Sequence, residues 1–250
     1  MTHAIILAAG RNSGFAEEKT EFQLDCLAVI GGKTLLSRHL DLLYRLGVQM
    51  VDLVVGYDAR KVIDHVATLD SRPDVAYHFN PRYEAGSVLS LWAAAETLAS
   101  GKDVLLMDSG LLYHPAILQR LLESPLENCF LLDRETEHHD SAMNIALHDG
   151  RMVDFCRSIP AGLECDGSGV SPGMYRFGPR AAECIGEECL RHEEEGLEDT
   201  PYEEILRNVM LSCPLAFGFE DISGMPWAGI ESPSDLARAG ETLLPAIRAG

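Results

Sequence analysis

The 250-residue sequence is poor in basic residues and has no long apolar run. Lys and Arg number 20 against 39 Asp and Glu, which gives a formal net charge of −19. Such an acidic field repels a polyanion, so the composition argues against nucleic acid as a partner. Hydrophobic residues at 46% and a mean hydropathy near zero exclude a disordered or membrane-spanning chain and predict a soluble globular protein.

Paired cysteine motifs and a targeting segment are also missing. The seven cysteines are odd in number and include neither a C-x-x-C pair nor a spacing typical of a zinc site. The N-terminus lacks the basic region and the long apolar segment of a signal peptide. These absences predict a cytoplasmic protein in a reducing environment.

Short apolar runs alternate with amphipathic stretches through the first half of the chain, which is typical of a parallel sheet flanked by helices. Strands are predicted at residues 3–7, 50–57, 74–79 and 103–107, and helices at residues 33–46, 59–69 and 88–99. The fold class is therefore α/β, with a doubly wound first half.

The pattern changes after Pro115, where the sequence predicts a small antiparallel extension. A helix to about residue 124 and an acidic helical stretch at 183–204 are expected, with a final helix from Ser232. Strand-like segments occur at residues 129–132, 142–148, 152–157, 215–219 and 227–230, with a hairpin turn at 148–151. No linker or repeat divides the sequence, so residues 1–250 are expected to form a single domain.

The first strand runs into the small residues Ala8, Ala9 and Gly10. In an open α/β sheet, ligands bind at the carboxyl ends of strands, and small residues let backbone amides approach a phosphate. The segment has neither a Walker lysine nor a GxGxxG pattern, so a plain strand-to-loop turn fits it equally well.

Seven segments, in order along the chain, resemble the small-molecule nucleotidyltransferases, and most closely their phosphocholine or phosphonate cytidylyltransferase branch. They are ILAAGRNSG, CLAVIGGKTLLSRHLDLL, VVGYDARKV, NPRYEAGSVLSLWAAAETL, LLMDSGLLYHPAIL, PYEEILRNVM and MPWAGIESPSDLARA. The resemblance implies a Rossmann-like nucleotidyltransferase fold with a mixed, mostly parallel sheet. It further implies Mg²⁺-dependent transfer of CMP from CTP to a small phosphorylated or phosphonate acceptor, with release of pyrophosphate, and association into a homo-oligomer.

The resemblance also implies the positions of the site residues. The candidate nucleotide-binding residues are Leu7, Ala8, Ala9, Gly10, Arg11, Gly86, Ser87 and Asp108. In-line attack on the α-phosphorus concentrates negative charge, so Arg11 and Lys19 are the candidate catalytic cations. Asp108 and Glu231, which follow predicted strands, are the candidate Mg²⁺ ligands.

An acceptor site is expected in the second half of the chain. Tyr202, Glu203 and Trp227 are candidates for a cage that binds an ammonium group through ionic and cation–π contacts. The acidic residues that surround Tyr202 in sequence are also explained as a solvated helical face.

Several charged positions depart from the family pattern. Gly14 stands where the family usually has arginine, Asp25 where it has lysine, and Gly110 at the end of a motif that resembles Asp-x-Asp. Asn144 and Val170 replace a lysine and an acidic residue. Two further hypotheses therefore stand beside the transferase: a noncatalytic binding or regulatory module, and a different group transfer in the same fold.

Overall fold

The computed structural model describes residues 2–11, 24–136 and 142–249. The strands are β1 His3–Ala8, β2 Val29–Ile30, β3 Lys33–Thr34, β4 Met50–Val55, β5 Asp74–Phe79, β6 Val104–Asp108, β7 Leu111–Tyr113, β8 Cys129–Leu132, β9 Met143–His148, β10 Arg151–Cys156, β11 Gly167–Ser171, β12 Met174–Phe177, β13 Gly218–Asp221 and β14 Trp227–Gly229. The helices are α1 Leu35–Arg45, α2 Ala59–Ala67, α3 Val88–Trp92, α4 Ala95–Leu98, α5 Pro115–Glu123, α6 Pro179–Glu194, α7 Tyr202–Ser212, α8 Pro233–Arg238 and α9 Leu244–Ala249.

The centre of the fold is a seven-stranded sheet of order β13-β8-β12-β6-β1-β4-β5. Strand β1 pairs in parallel with both β4 and β6, and β5 extends the parallel half. Strand β12 is antiparallel to both β6 and β8, which makes the sheet mixed. The three smaller sheets are β10-β9-β11, β14-β7 and β2-β3. The predicted α/β class with a small antiparallel extension is confirmed.

Two hydrophobic cores cover the two faces of the central sheet. Along β1, Ala4 and Ile6 point into the core formed with α1, α2 and α5, while Ile5 points into the core formed with α3, α6 and α7. These positions are fully buried, and each large apolar side chain contributes about 1.5–3 kcal/mol by leaving water. Burial on both faces explains why β1 is a continuous apolar run.

The start of α1 differs from the prediction. The helix begins at Leu35 and not at residue 33, because β3 pairs with β2 as a short hairpin. The Thr34 side chain accepts a hydrogen bond from the Ser37 backbone N–H at 3.0 Å and so caps the helix.

Two predicted helices are interrupted. The helix expected at 88–99 is divided into α3 and α4, since the backbone leaves helical geometry at Ala94. The acidic stretch at 183–204 contains two helices, α6 and α7. Gly196 has a φ of +72°, and Pro201 directly precedes α7, so both residues favour a break between α6 and α7.

The sequence analysis missed the short strands β2, β3 and β7 before Pro115, and β11 and β12 after it. Strand β13 begins at Gly218, later than the predicted segment 215–219, where it pairs in parallel with β8. The hairpin turn at 148–151 is confirmed, with positive φ values at Asp149 and Gly150. The Ser232 cap of the last predicted helix is also confirmed by its hydrogen bond from the Asp235 N–H.

A third, smaller core joins the C-terminal helices to the β2–β3 hairpin and β7. Its members are Ala28, Ile30, Leu35, Leu112, Ile230, Ala239 and Leu244. In the described ranges, no helix is both long enough and apolar enough to cross a bilayer.

The β2–β3 turn gives a test of this third core. Gly31 and Gly32 both have positive φ, but a Cβ on Gly31 would overlap the Leu244 side chain, whereas one on Gly32 would have no neighbour within 4 Å in the described part of the chain. We expect Gly31→Ala to lower the free energy of unfolding by about 1–3 kcal/mol more than Gly32→Ala, because only the first change also overpacks the core. Urea unfolding measures both variants, and equal losses would contradict the packing of α9 on this turn.

Candidate active site

A cavity of about 390 Å³ opens at the carboxyl ends of β1 and β6. The parallel register places Leu7 beside Asp108, and both residues line the cavity. The remaining lining residues are Ala9, Gly10, Arg11, Asp25, Tyr83, Ala85, Ser87, Ser90, Ser109, Tyr202 and Glu231. This position is where open parallel sheets bind ligands.

The loop after β1 contributes small residues and one cation to the cavity. A Cβ on Gly10 would have no neighbour within 4 Å among the residues that the structure describes, so these residues leave the backbone open to a ligand. The Arg11 guanidinium lies 5.4 Å from the centre of the Tyr57 ring, a cation–π contact, and also lines the cavity. Ala8 was predicted with this group, but its side chain is 3% exposed and packs in the core on the other face of β1.

The backbone amides of Gly86 and Val88 already have hydrogen-bond partners within the protein. The Gly86 N–H donates to the Glu198 carbonyl at 2.8 Å, and the Val88 N–H donates to the Thr200 carbonyl at 3.1 Å. The Ser87 hydroxyl accepts from the Tyr202 N–H at 2.9 Å. The Gly86 and Val88 amides are therefore not free to bind a ligand, because this segment anchors the loop before α7, although Ser87 itself still lines the cavity.

Asp108 is held in place by Tyr202. The buried Tyr202 hydroxyl donates a hydrogen bond that is shared by the two Asp108 carboxylate oxygens, each at 2.9 Å. Burial raises the pKa of Asp108 well above its usual range, and the charges of Glu203, Asp25 and Glu231 raise it further. Asp108 is thus an oriented carboxylate in a site where a cation would be strongly stabilised.

Asp25 also extends into this cavity. Its carboxylate accepts hydrogen bonds from the Cys26 N–H at 2.6 Å and the Ser109 hydroxyl at 3.3 Å. Its Oδ2 lies 2.8 Å from the position that a Cβ on Gly110 would take. The Asp25 carboxylate therefore fills the space next to residue 110, so an acidic group is present there although residue 110 has no side chain.

A second, smaller cavity of about 130 Å³ adjoins the first, and the two share Asp108 and Glu231. Glu203 and Trp227 line this second cavity, and the Trp227 indole N–H donates to Asp133 at 2.7 Å. Tyr202 does not line it, so the predicted three-residue cage is only partly assembled: Tyr202 has its hydroxyl bound to Asp108 on the side of the larger cavity.

The lysines and arginines near the site, and Gly14, which stands where the family usually has arginine, are placed as follows. Lys19 and Gly14 lie outside the described residues. Lys33 forms an ion pair with Asp41 at 3.6 Å and lines neither cavity. Of the lining residues that the structure describes in the larger cavity, Arg11 is the one lysine or arginine.

The carboxylates of the two cavities suit a hard divalent cation whose remaining ligands come from a bound substrate. In the described part of the chain, no group of three His, Cys, Asp or Glu side chains could hold a metal ion by itself. Mg²⁺ is usually bound by one or two carboxylates together with substrate phosphates, and Asp108 and Glu231, which line both cavities, are carboxylates of this kind.

Sequence reasoning missed several lining residues. Tyr83 and Ser90 lie in the same segment as Ser87 and were within reach of the pattern. Asp25 carried a signal as well, because a carboxylate had replaced an expected lysine. Ser171 and Tyr175 of the second cavity come from β11 and β12, which gave no recognisable strand pattern.

The chain matches the family described as the MobA-like NTP transferase domain over residues 4–195, and it belongs to that family. It is 27% identical over 249 residues to the bifunctional IPC transferase and DIPP synthase of Rubrobacter xylanophilus, with 96% of this chain covered. It is 25% identical over 248 residues to the CMP-5'-(3-aminopropyl)phosphonate synthase of Streptomyces rubellomurinus, with 94% covered. The chain spans 52% and 38%, respectively, of the lengths of these two proteins.

Solved structures confirm the expected fold. The inositol-1-phosphate CTP transferase of T. maritima superposes with a TM-score of 0.77 and 19% identity, covering all of this chain (100%) and 97% of that one. The CTP:phosphocholine cytidylyltransferase of Streptococcus pneumoniae superposes with a TM-score of 0.73 and 18% identity, covering 97% of this chain and 99% of that one. The resemblance to nucleotidyltransferases found in the sequence is confirmed by the family match over residues 4–195.

The burial of Asp25 predicts a specific dependence of stability on pH. Burial raises the pKa of Asp25 from 3.8 to about 6. Between pH 4 and 6 the folded state retains a proton that the unfolded state has released, so the free energy of unfolding falls as the pH rises through this window. We expect Asp25→Asn, measured in metal-free buffer, to reduce that fall and to stabilise the protein at pH 7 by roughly 1–3 kcal/mol.

Urea unfolding at pH 4.5 and pH 7 measures this effect. The exposed Asp74 provides the matched control, and Asp74→Asn is expected to leave the difference between the two pH values unchanged. An Asp25→Asn variant with the wild-type pH dependence would contradict the burial of an ionisable Asp25.

Proposed function

We propose that this member of the MobA-like NTP transferase family transfers CMP from CTP to a small phosphorylated or phosphonate acceptor and releases pyrophosphate. The observation that carries the proposal is the pair of adjoining cavities that share Asp108 and Glu231. The larger lies at the ligand-binding end of the sheet and suits the nucleotide, and the smaller suits the acceptor. The activities named for the relatives from R. xylanophilus and S. rubellomurinus support acceptors of this chemical kind.

In this proposal the acceptor oxygen attacks the α-phosphorus in line, a new P–O bond forms, and the bond to pyrophosphate breaks. Arg11 stabilises negative charge on the phosphates, and the open backbone around Gly10 lets them approach. Lys19 is proposed as a second cation from its position in the sequence. Tyr202 keeps the Asp108 carboxylate in one orientation throughout.

Asp108 and Glu231 are the proposed ligands of Mg²⁺. When bound, Mg²⁺ supplies neutralisation of phosphate charge, which would otherwise be repelled by these carboxylates. Asp25 adds a third acidic group to the same cavity, which strengthens its preference for a cation-bound nucleotide.

The lining of the smaller cavity supports an acceptor that carries a cationic amine. Asp108, Glu203 and Glu231 contribute carboxylates, and Trp227 contributes an aromatic face. No lysine or arginine is present among the described lining residues. We therefore propose an aminoalkyl phosphonate or a phosphorylated amine in preference to a neutral polyol phosphate.

All seven cysteines are free thiols, which supports a reducing, cytoplasmic setting for the reaction.

The proposal is tested by pyrophosphate release and by calorimetric titration with CTP, ATP, GTP and UTP, each with and without Mg²⁺. With CTP, Mg²⁺ and either 2-aminoethylphosphonate or phosphocholine we expect turnover, with weaker activity on inositol 1-phosphate. Asp108→Asn is expected to reduce turnover by about 10²–10³-fold, since the proposed Mg²⁺ that neutralises the reacting phosphates loses a carboxylate ligand. The exposed hairpin variant Asp149→Asn is the control. Absence of Mg²⁺-dependent nucleotide binding would instead favour a noncatalytic module.

The contact between Tyr202 and Asp108 generates a second prediction. Tyr202→Phe keeps the packing of the ring but removes the hydroxyl that orients the carboxylate. We expect kcat to fall about 10–100-fold and the Mg²⁺ concentration for half-maximal activity to rise, as for other residues that orient a metal ligand. Tyr77→Phe, at a 38% exposed tyrosine, is the matched control. Unchanged Mg²⁺ dependence in Tyr202→Phe would show that the hydroxyl does not position Asp108.

A further inference from the structure

A third cavity, of about 280 Å³, lies away from the two at the ends of β1 and β6. Residues of α1, the Gly31 turn, β7 and α9 line it, and Leu111 is its one lining residue that also borders either of the other two. Its volume is close to the lower limit of ordinary small-molecule sites.

This third cavity is basic in a strongly acidic protein. Lys33, Arg38, Arg45 and Arg248 line it, and Asp41 is the one carboxylate among its described lining residues. The net charge of the chain is −19. A local excess of cations in such a chain marks a place where an anion is attracted.

Asp41 balances only part of this charge. It pairs with Arg45 at 3.1 Å and with Lys33 at 3.6 Å. No carboxylate among the described residues forms an ion pair with Arg38 or Arg248. The buried Arg38 Nε also has no hydrogen-bond partner among these residues. The Arg38 Nη2 donates to the Ile30 carbonyl, which holds the guanidinium at the cavity.

The two unbalanced guanidinium groups converge on one point. Arg248 Nη2 and Arg38 Nη2 lie 2.9 Å and 3.5 Å from the position that a Cβ on Gly31 would take. Burial lowers the pKa of Arg38, and the charge of Arg248 lowers it further, as expected for like charges placed side by side. Such an arrangement is unfavourable alone and becomes favourable when an anion lies between the two groups.

The remaining wall of the cavity is apolar. Leu42, Leu112 and Ile247 line it, so a ligand there meets hydrocarbon next to the charged pair. Two guanidinium groups bind a phosphate through several directed hydrogen bonds, whereas the apolar wall stabilises an organic portion. We propose that this cavity is a second binding site, separate from that of the reaction, for a small organic phosphate.

The third cavity and the two other cavities share the short segment of chain that follows β6. His39 lines the third cavity, and its Nε2–H donates to the Ser109 carbonyl at 3.1 Å. Its Nδ1 accepts from the Tyr113 hydroxyl at 3.0 Å, and burial lowers the pKa of His39 to about 4, which keeps the ring neutral. The segment from Asp108 to Tyr113 therefore forms part of the wall of all three cavities.

Isothermal titration with ribose 5-phosphate and with inorganic phosphate, in the absence of nucleotide, tests the proposal. The wild type is expected to bind ribose 5-phosphate more tightly than inorganic phosphate, because only the former reaches the apolar wall. The double variant Arg38→Gln/Arg248→Gln is expected to lose at least 10-fold in affinity, and Arg248→Gln alone, at an exposed residue, about 3-fold or more. Asp108→Asn is expected to bind like the wild type, because Asp108 does not line this cavity.

The matched control is Arg60→Gln/Arg180→Gln, which removes the same charge from two exposed arginines that line none of the three cavities. It is expected to bind as the wild type does. An equal loss in this control, unchanged affinity in the Arg38 and Arg248 variants, or no binding of either probe would overturn the site. Equal affinity for the two probes would overturn its assignment to an organic phosphate. Thermal unfolding of every variant confirms that the folded state is retained.

Discussion

The central strand β1 is paired in parallel on both sides, with β4 at one edge and β6 at the other. Because parallel strands end at the same edge of a sheet, this pairing brings the loop after β1 next to the end of β6. The register that places Leu7 beside Asp108 thus fixes which backbone and which carboxylate share a cavity. The antiparallel strand β12 pairs with β6 on its other side and contributes Tyr175 to the lining of the smaller cavity.

Acidic and basic side chains lie in different parts of the structure. Acidic groups gather where the cavities meet, at Asp108 and Glu231, with Asp25 and Glu203 on either side. Partial burial makes these like charges costly in the free protein and gives a bound cation a correspondingly large effect. Basic groups gather instead in the third cavity, so the two kinds of site are separated by the segment that follows β6.

The sequence was informative where structure is local. The strands β1, β4, β5 and β6 and the β9–β10 hairpin follow from apolar runs and turn residues, and so does the Ser232 cap. Contacts between segments that are distant along the chain could not be predicted from the sequence. The Gly86 amide is used by residue 198, and Ser109 bonds a carboxylate 84 positions away. Strand β11 has two glycines in five residues and depends on β9 for its conformation.

The close approach of Asp25 to Gly110 limits the order in which these positions can change over evolutionary time. An aspartate introduced at residue 110 would place its Cβ 2.8 Å from Asp25 Oδ2, with a second negative group beside it. The change at residue 110 is therefore unfavourable while Asp25 is present, and it becomes acceptable only after residue 25 has become smaller or basic. The two positions are therefore energetically coupled, so the effect of a substitution at residue 110 depends on the residue at position 25.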